Sequence, residues 1–430
     1  MRKSMPVLFV YVLICGTVAY YWGMSLGWNL LAGGLYSAAS LAGLLGFVTV
    51  SFQLVTSARW RLLEERMGLD GLLHLHRRFG AAAFCLLVLH GMYLLADRIT
   101  SGAGLPSGVY DLMGSAALAL LFLIVITALF YKRFGLSYQA SRRIHLLAYI
   151  AYGLGMNHSL FLGSTFYVYP ELRYVWYLLG FAAFVSAVKN LMRRLSNFRN
   201  ASAVEEVIRE TGDIITLSVG RNDMDYLPGQ FAFISAEVRG RKEFPHPFTI
   251  SSNPEAETLK FSIKGSGDFT RSAGEISKGD TVFVDGPYGT FTFADRDAGE
   301  KILLIAGGIG ITPFISNLRA LAARGESRDI ILLWGNKTPE DVPFDAELKA
   351  MDFVKSVYIF SRTETPGMPS GAAAVETGRI GSRIIEAYAP DAGEREIYVC
   401  GPPAMTKDVT DALVSLGVRK RRIHCEQFSF

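Results

Sequence analysis

Cysteine is scarce in this 430-residue sequence, which has only four, and none of them forms a Cys-x-x-Cys pair. Neither a disulfide framework nor a zinc site is therefore predicted. A Cys-x-x-Cys-His sequence is missing as well, so any haem must be held without a covalent bond. The net charge is also small, at +4, and the basic residues of the first half stand in clusters between apolar runs. This distribution does not favour nucleic-acid binding.

Hydrophobic residues make up 50% of the sequence, and their distribution divides it into two halves. Up to about residue 188 the sequence is a series of apolar runs, whereas from Ser196 onward apolar and charged residues alternate in short segments. The first pattern is typical of a membrane protein and the second of a soluble α/β protein. We predict a membrane domain over residues 1–195 and a water-soluble part after it.

Six apolar runs are long enough to cross a hydrocarbon core of ~30 Å at ~1.5 Å per residue. They cover residues 7–22, 30–55, 72–95, 112–131, 144–162 and 172–188. The first run could instead be a signal peptide, because Arg2 and Lys3 precede it, but no small-residue cleavage site follows it. We therefore predict a six-helix membrane domain in contact with the lipid bilayer.

The positions of Lys and Arg predict the orientation of these helices. Almost all of the basic residues that flank the runs fall on one side, and only Arg98 and Arg173 fall on the other. Because cytoplasmic loops carry an excess of Lys and Arg, both termini are predicted to be cytoplasmic. The chain is then a multi-pass protein of the cell (inner) membrane, and its third and fifth helices both run outward.

Five of the seven histidines, His74, His76, His90, His145 and His158, fall on the third and fifth predicted helices. An imidazole inside a bilayer is costly, so each one needs a partner, a cavity or a metal. His76 and His90 are 14 residues apart, which places them about 40° apart on one helix face and about 21 Å apart along its axis. His145 and His158 are 13 residues apart, or about 20 Å. The histidines can therefore form two rungs that hold two haems by bis-histidine ligation, His76 with His145 and His90 with His158.

The spacing on the fifth helix does not fit an ideal α-helix. Thirteen residues turn His158 by about 140° from His145, so either this helix is overwound or its two haems approach it from different sides. Gly153 and Gly155 would allow such a distortion. We call His76 and His145, the pair nearer the cytoplasm, the inner pair, and His90 and His158 the outer pair. His74 is the alternative to His76 as the inner ligand. It is turned about 160° from His90, so we interpret it as a polar residue at the cytoplasmic boundary. Hydrogen bonding between helices is the simpler role for one or two of these histidines.

The segments around the histidines, LHRRFGAAAFCLLVLH and RRIHLLAYIAYGLGMNH, resemble the third and fifth helices of the ferric reductase and NADPH oxidase superfamily. In that family the two histidine pairs ligate two b-type haems, which carry electrons across the membrane. The resemblance therefore implies haem iron as the metal, with His76, His90, His145 and His158 as its ligands.

The soluble half predicts two further domains. Strand-like segments such as DIITLSV and FAFISAE, separated by turn residues, indicate a small antiparallel β-barrel over residues 196–297. KILLIAGGIGITPF is typical of a strand, a glycine turn and a helix, which begin a parallel α/β domain over residues 298–430. Gly307, Gly308 and Gly310 let the backbone approach a pyrophosphate closely, while Thr312 caps the helix and Pro313 suits its first turn. An ordinary strand-to-helix connection would also use a glycine turn.

Further motifs stand in order around this turn: HPFTISS, KGSGDFT and DGPYG before it, and CGPPAM and the terminal EQFSF after it. In combination they resemble ferredoxin reductase-type flavoproteins, and the HPFT and GDFT forms are most similar to the oxidase and ferric reductase branch. The resemblance implies an FAD-binding barrel and an α/β domain that binds NAD(P)H. The implied flavin contacts are His246, Pro247, Phe248, Thr249, Ser252, Lys264, Gly267 and Thr270. As isolated residues, HPFT would be an ordinary strand end.

The last two motifs concern nicotinamide. Cys400, Gly401 and Pro402 resemble the segment that closes over nicotinamide, and the terminal Phe430 resembles the aromatic residue that shields the flavin in this family. The resemblance therefore implies catalytic roles for Cys400 and Phe430. A hydrophobic last residue is otherwise a frayed chain end.

The choice between NADPH and NADH depends on one loop. FSRT, which includes Arg362, resembles the Ser-Arg pair with which NADPH-dependent reductases hold the 2′-phosphate, and a guanidinium suits a dianion. A solvated loop arginine is the simpler alternative. NADPH is favoured over NADH, and Arg362 and Lys337 are the positions that test this preference.

The resemblance implies one electron path. NADPH gives a hydride to FAD, and electrons then pass singly through the inner and outer haems to an acceptor outside. We favour O2, which gives superoxide, because the short outer loops have no evident metal-ligand cluster; a ferric or cupric metalloreductase is the alternative. A haem-containing redox sensor or respiratory subunit is less consistent with a complete hydride-donor site. No calcium-binding loop precedes the first helix, so no obligatory protein activator is expected.

Overall fold

The computed structural model divides the chain into two compact units, Met1–Leu195 and Ser196–Phe430. We refer to them as the helical unit and the sheet unit. The structure describes residues 5–29, 34–102, 107–196, 201–221, 224–238, 241–242, 245–265, 273–295, 299–363 and 374–426. The two predicted domain boundaries, after residues 195 and 297, remain predictions, although the secondary structure changes from helices to sheets near the first of them.

The helical unit contains long apolar helices joined by short connections. Its helices are α1 (Met5–Ser25), α2 (Gly34–Ser57), α3 (Arg61–Ser101), α4 (Val109–Phe130), α5 (Tyr138–Ile144), α6 (Ala148–Leu162), α7 (Thr165–Val168) and α8 (Arg173–Ser196). Gly68 interrupts α3 with φ 72° and ψ 160°, a backbone conformation that glycine adopts without steric cost. A 3-10 turn, His145–Leu147, joins α5 to α6.

Five helices of the described residues are long and apolar enough to span a membrane. The spans are Pro6–Ser25, Tyr36–Ser57, Arg66–Ser101, Val109–Phe130 and Pro170–Arg193. The predicted span 144–162 is not among them, because its α-helix has only 15 residues and follows a 3-10 turn. The predicted number of six is therefore not confirmed. Large apolar side chains such as Phe9, Leu129 and Phe181 are exposed on the helices, which fits a surrounding of lipid.

The first sheet of the sheet unit is antiparallel throughout. Its strands are β1 (Ala201–Arg209), β2 (Ile214–Gly220), β3 (Phe231–Val238), β4 (Arg241–Lys242), β5 (His246–Thr249), β6 (Thr258–Lys264) and β7 (Thr281–Tyr288). They follow the order β4-β3-β7-β1-β2-β6, and β5 pairs with β3. An isolated bridge between Ile250 and Phe261 connects the end of β5 to β6, which is the last strand of this order. The two sides of the sheet are therefore joined, as in the predicted barrel.

The second sheet is parallel and has helices between its strands. Its strands are β8 (Lys301–Gly307), β9 (Asp329–Asn336), β10 (Val354–Phe360), β11 (Ala374–Thr377), β12 (Glu396–Cys400) and β13 (Ile423–Glu426). The helices of this part are α9 (Thr312–Ala323), α10 (Asp345–Lys349), α11 (Ser382–Tyr388) and α12 (Pro403–Ser415). The order β11-β10-β9-β8-β12-β13 reverses direction between β8 and β12. Ligands bind in open α/β sheets at such a switch point, outside the carboxyl ends of the strands.

Helix α9 holds the two sheets together through buried polar side chains. The Oδ1 atom of Asn317 accepts hydrogen bonds from the amides of Phe293 (2.8 Å) and Ala294 (3.0 Å). Ser316 donates to the carbonyl of Ser252 (2.8 Å) and accepts from the amide of Gly229 (3.1 Å). Because buried backbone groups need partners, these contacts fix the antiparallel sheet against the helix that begins at the glycine turn.

Candidate functional site

The structure brings the four membrane histidines together in the predicted pairs. The ring centroids of His76 and His145 are 6.1 Å apart, and those of His90 and His158 are 6.0 Å apart. A metal–imidazole bond is ~2.0–2.1 Å long, so a linear imidazole–metal–imidazole arrangement separates the two ring centres by about 6.4 Å. Both pairs therefore have a spacing that suits one iron between the rings. His74 is exposed on α3 and belongs to neither pair.

The outer pair, His90 and His158, is oriented by backbone carbonyls. The Nδ1 atom of His90 lies 2.7 Å from the carbonyl oxygen of Ala39 on α2, and the Nδ1 atom of His158 lies 2.8 Å from that of Tyr110 on α4. A carbonyl only accepts hydrogen bonds, so each Nδ1 atom carries the proton and donates it. The Nε2 atom of each ring is then unprotonated, as a metal ligand requires.

The inner pair, His76 and His145, lies where the fifth predicted span is distorted. His145 is the first residue of the 3-10 turn, which rotates the chain by about 120° per residue instead of about 100°. Three such residues reduce the mismatch with His158 from about 140° to about 80°. Of the two predicted alternatives, the structure therefore contains the overwound segment. The overwinding begins at His145 itself, whereas Gly153 and Gly155 lie in the regular helix α6.

The predicted flavin motif HPFT forms strand β5, in which Thr249 pairs with Phe231 and His246 with Ile234 of β3. The Oγ1 atom of Thr249 is buried and has no hydrogen-bond partner within the described residues. Such an orphaned hydroxyl is rare inside a protein and suits a contact with a bound cofactor. Pro247 and Phe248 are half-buried on the same strand.

Two other predicted flavin contacts are already occupied within the protein. The hydroxyl of Ser252 bonds to the hydroxyl of Tyr226 (2.8 Å) and accepts from the amide of Lys260 (3.1 Å). Burial raises the pKa of Tyr226 to about 12, so this network stays neutral. Lys264 forms an ion pair with Asp213 at 3.2 Å. Gly267, Thr270 and Phe430, three further predicted contacts, lie outside the described residues.

The glycine turn after β8 packs against the loop after β12. A Cβ atom on Gly307 would lie 2.5 Å from Sδ of Met405, and one on Gly310 would lie 2.4 Å from the carbonyl oxygen of Cys400. A Cβ atom on Gly401 would lie 3.2 Å from the Cα atom of Gly307. These three glycines are therefore needed for the contact between the two loops, independently of any pyrophosphate.

Only Gly308 of the turn keeps an open approach, because its φ is +53° and nothing lies within 4 Å of its Cβ position. The predicted cap by Thr312 is wrong. A 3-10 turn, Gly308–Ile311, precedes the helix, Ile311 is the N-cap, and Thr312 donates instead to the carbonyl of Ile309 at 3.1 Å. Pro313 does lie in the first turn of α9, where its missing N–H costs nothing.

Cys400 ends strand β12 with its side chain fully buried. Burial raises the pKa of the Cys400 thiol, and the nearby charge of Glu426 raises it further, so the thiol stays protonated. Glu426 pairs with Cys400 in the register of β12 and β13. Glu426 is the first residue of the terminal EQFSF segment. Its position beside the thiol was not predictable from the sequence, because it depends on strand pairing. Pro402 follows at the N-cap of α12.

The carboxyl ends of β9 and β10 bring the proposed NADPH-selecting residues together. The amide of Arg362 donates to the carbonyl of Lys337, and the amide of Ser361 donates to that of Asn336, both at 3.0 Å. Asn336 was missed in the sequence. Its side chain is 6% exposed, and neither its amide oxygen nor its nitrogen has a hydrogen-bond partner within the described residues. It is therefore a further candidate for a nucleotide contact.

Comparison with known families assigns each region of the chain. Residues 42–156 match the family "Ferric reductase like transmembrane component". Residues 198–292 match an FAD-binding domain, and residues 304–411 match an oxidoreductase NAD-binding domain. This order of three regions is the architecture of the ferric reductase and NADPH oxidase superfamily, and the chain shares that architecture. The matches and the apolar helices together indicate a multi-pass membrane protein that carries an FAD-binding region and an NAD-binding region.

Individual relatives match about half of this chain. The NADPH oxidoreductase of Mycobacterium tuberculosis is 31% identical over 234 residues, which are 52% of this chain and 58% of the relative. The reductase component of propane 2-monooxygenase from Rhodococcus jostii is 29% identical over 231 residues, which are 51% of this chain and 60% of the relative. The chain thus spans about three fifths of these relatives. A flavohemoglobin from Malassezia yamatoensis, 18% identical, covers 93% of this chain and 98% of its own with a TM-score of 0.50, a likeness of fold alone.

The contact between the two glycine loops predicts the effect of Gly310→Ala. The added Cβ atom would meet the carbonyl oxygen of Cys400, so the loops must separate and the nucleotide site must change shape. We expect the KM for NAD(P)H to rise at least about tenfold with ferricyanide as acceptor, while the FAD content is unchanged. Gly381→Ala is the control, because nothing lies within 4 Å of that Cβ position. An unchanged KM in the Gly310 variant would contradict the role given to this contact.

Proposed function

We propose that the protein oxidises cytoplasmic NADPH and delivers the electrons across the membrane to O2, which becomes superoxide. The balanced reaction converts one NADPH and two O2 into NADP⁺, one proton and two superoxide ions. Two b-type haems would be held by His76 with His145 and by His90 with His158. In the sheet unit, FAD would be held beside the HPFT strand, and NADPH at the switch point between β8 and β12.

The observation that carries this proposal is the pairing of four histidines into two rungs, with centroid separations of 6.1 Å and 6.0 Å. Hydrogen bonding between helices accounts for one ring nitrogen of each outer histidine, because each Nδ1 atom gives its proton to a carbonyl of another helix. It does not account for the spacing of the two rings, and it leaves each Nε2 atom as a base. This is the arrangement that metal-ligating histidines usually have.

The cofactors supply the redox chemistry, since FAD accepts two electrons as a hydride and releases them one at a time, and haem iron carries one. The chain itself binds and orients. Thr249 would offer its buried hydroxyl to the flavin. Cys400, whose thiol is kept protonated, ends β12 beside the glycine turn that follows β8. His90 and His158 would together hold the outer haem, which would supply single electrons for the reduction of O2.

The proposed acceptor is supported by what the outer surface offers. Among the described residues, no group of three or more His, Cys, Asp or Glu side chains is arranged to hold a metal ion. A site that binds a bare ferric or cupric ion for reduction would need such ligands. A metalloreductase with the same electron path is the second candidate, because a metal chelate needs no protein ligands. Further parts of the proposal are an inner-membrane location with both termini cytoplasmic and activity without a protein activator; a redox sensor is the weaker alternative.

The choice of donor can be tested at Arg362, which is exposed beside Lys337. In the Arg362→Ala variant we expect kcat/KM for NADPH to fall about tenfold to a hundredfold, because one charged contact to the 2′-phosphate is lost. The value for NADH should change less than about twofold. Arg419→Ala, at the amino-end side of β13, is the control. Equal losses for both nucleotides would remove Arg362 from the specificity site.

The acceptor is tested with purified full-length protein, NADPH and FAD. Cytochrome c reduction is followed with and without superoxide dismutase, and ferric citrate reduction is followed under argon. We expect most of the cytochrome c reduction to be sensitive to dismutase. Rapid anaerobic reduction of iron together with dismutase-insensitive cytochrome c reduction would establish the metalloreductase instead. Protein that becomes active only after another protein is added would contradict activity without an activator.

A further inference from the structure

The outer histidines each meet a neighbouring helix in the same way. On α2, the carbonyl of Ala39 accepts from Nδ1 of His90, and Gly43 stands four residues further along. A Cβ atom on Gly43 would lie 2.6 Å from that Nδ1 atom. The imidazole therefore occupies the space that any side chain at position 43 would fill.

The contact is repeated between α4 and α6. The carbonyl of Tyr110 accepts from Nδ1 of His158, and Gly114 again stands four residues further along. A Cβ atom on Gly114 would lie 2.5 Å from that Nδ1 atom. The two contacts use different helices and different histidines. The four-residue spacing between the acceptor carbonyl and the glycine therefore occurs twice independently.

Helix geometry explains why the glycine stands four residues after the acceptor. The carbonyl of residue i points along the axis towards the amide of residue i+4, and the side chain of i+4 lies on the same face. That side chain normally blocks a second donor from reaching the carbonyl. Without a Cβ atom at i+4, a flat imidazole can lie against the helix and bond to the free lone pair of the carbonyl.

We propose that Gly43 and Gly114 are positioning residues for the outer haem. Each one opens a slot in which a histidine gives its Nδ1 proton to a carbonyl and thereby presents Nε2 to the iron. The inference rests on the proposed haem function and adds the residues that select the tautomer and the ring orientation of both outer ligands.

The slot distinguishes the outer pair from the inner pair. The Nδ1 atom of His76 is buried and makes no hydrogen bond within the described residues. Among the described glycines, none has the ring of His76 or His145 as a nearest neighbour of its Cβ position. Donation from Nδ1 makes Nε2 a stronger donor, which favours ferric over ferrous iron. The outer haem would therefore have two strengthened ligands, which would lower its reduction potential.

The experiment compares Gly43→Ala and Gly114→Ala in the purified full-length protein. In each variant the added methyl group must push the imidazole away from its carbonyl. We expect haem content to fall from about two towards about one per chain, or the outer haem to be retained with altered low-spin EPR g-values and a raised midpoint potential. The signals of the inner haem should stay unchanged. FAD content and ferricyanide reduction by NADPH report whether each variant has folded.

Gly46→Ala is the matched control. Gly46 lies on α2 between the two rungs, and its added Cβ atom would meet Cδ2 of Leu87 at 2.8 Å, so the crowding is similar but no imidazole is involved. Normal g-values and potentials in this variant are expected. Two unaltered haems in both Gly43→Ala and Gly114→Ala would overturn the inference while leaving the haem proposal intact. Wild-type protein that binds no haem would overturn the proposed function itself.

Discussion

An imidazole in the interior of the helical unit is most stable when both ring nitrogens have partners, because a polar group buried in a bilayer without a partner is costly. The outer histidines meet half of this condition with protein atoms, since each Nδ1 atom donates to a carbonyl of a neighbouring helix. The ring centroids of His90 and His158 are 6.0 Å apart, a spacing that suits one metal ion between the rings. The arrangement of the helices follows from this requirement.

Each helix of the core contributes to it in a different way. Helix α3 carries one histidine of each pair, and the 3-10 turn with α6 carries the other two. Helices α2 and α4 carry no histidine of either pair, but they supply the carbonyls of Ala39 and Tyr110 and the glycines beside them. In the sheet unit, Gly307, Gly310 and Gly401 likewise let the glycine turn after β8 contact the loop after β12. Cys400 is buried beside this contact.

Sequence alone predicted the parts that depend on spacing along one element. The 14-residue interval between His76 and His90 identified one helix face, and the 13-residue interval predicted either an overwound partner helix or two haems that approach it from different sides. The location of the distortion at His145 was not predictable, because glycines were the only visible cause, and the 3-10 turn begins at a residue without such a signal. Gly43 and Gly114 were missed because their role depends on which helix packs against which.

The same limit explains the errors in the sheet unit. The strand, glycine turn and helix around Gly308 were predicted in the right order, but the 3-10 turn before α9 removed Thr312 from the cap position. Ser252 and Lys264, which stay predicted flavin contacts, also contact Tyr226 and Asp213, and spacing along the chain does not show these tertiary contacts. Asn336 gave no signal in the sequence, because its unpaired amide becomes visible only when its surroundings are known.

The most direct test of the two-rung account is the haem content and EPR spectrum of full-length protein in which single rung histidines are changed. The account predicts about two low-spin bis-imidazole haems per wild-type chain and about one in either His76→Ala or His158→Ala. The surviving signal should differ between these two variants, because each removes a different rung. Two haems with unchanged bis-imidazole signals in either variant would contradict the account.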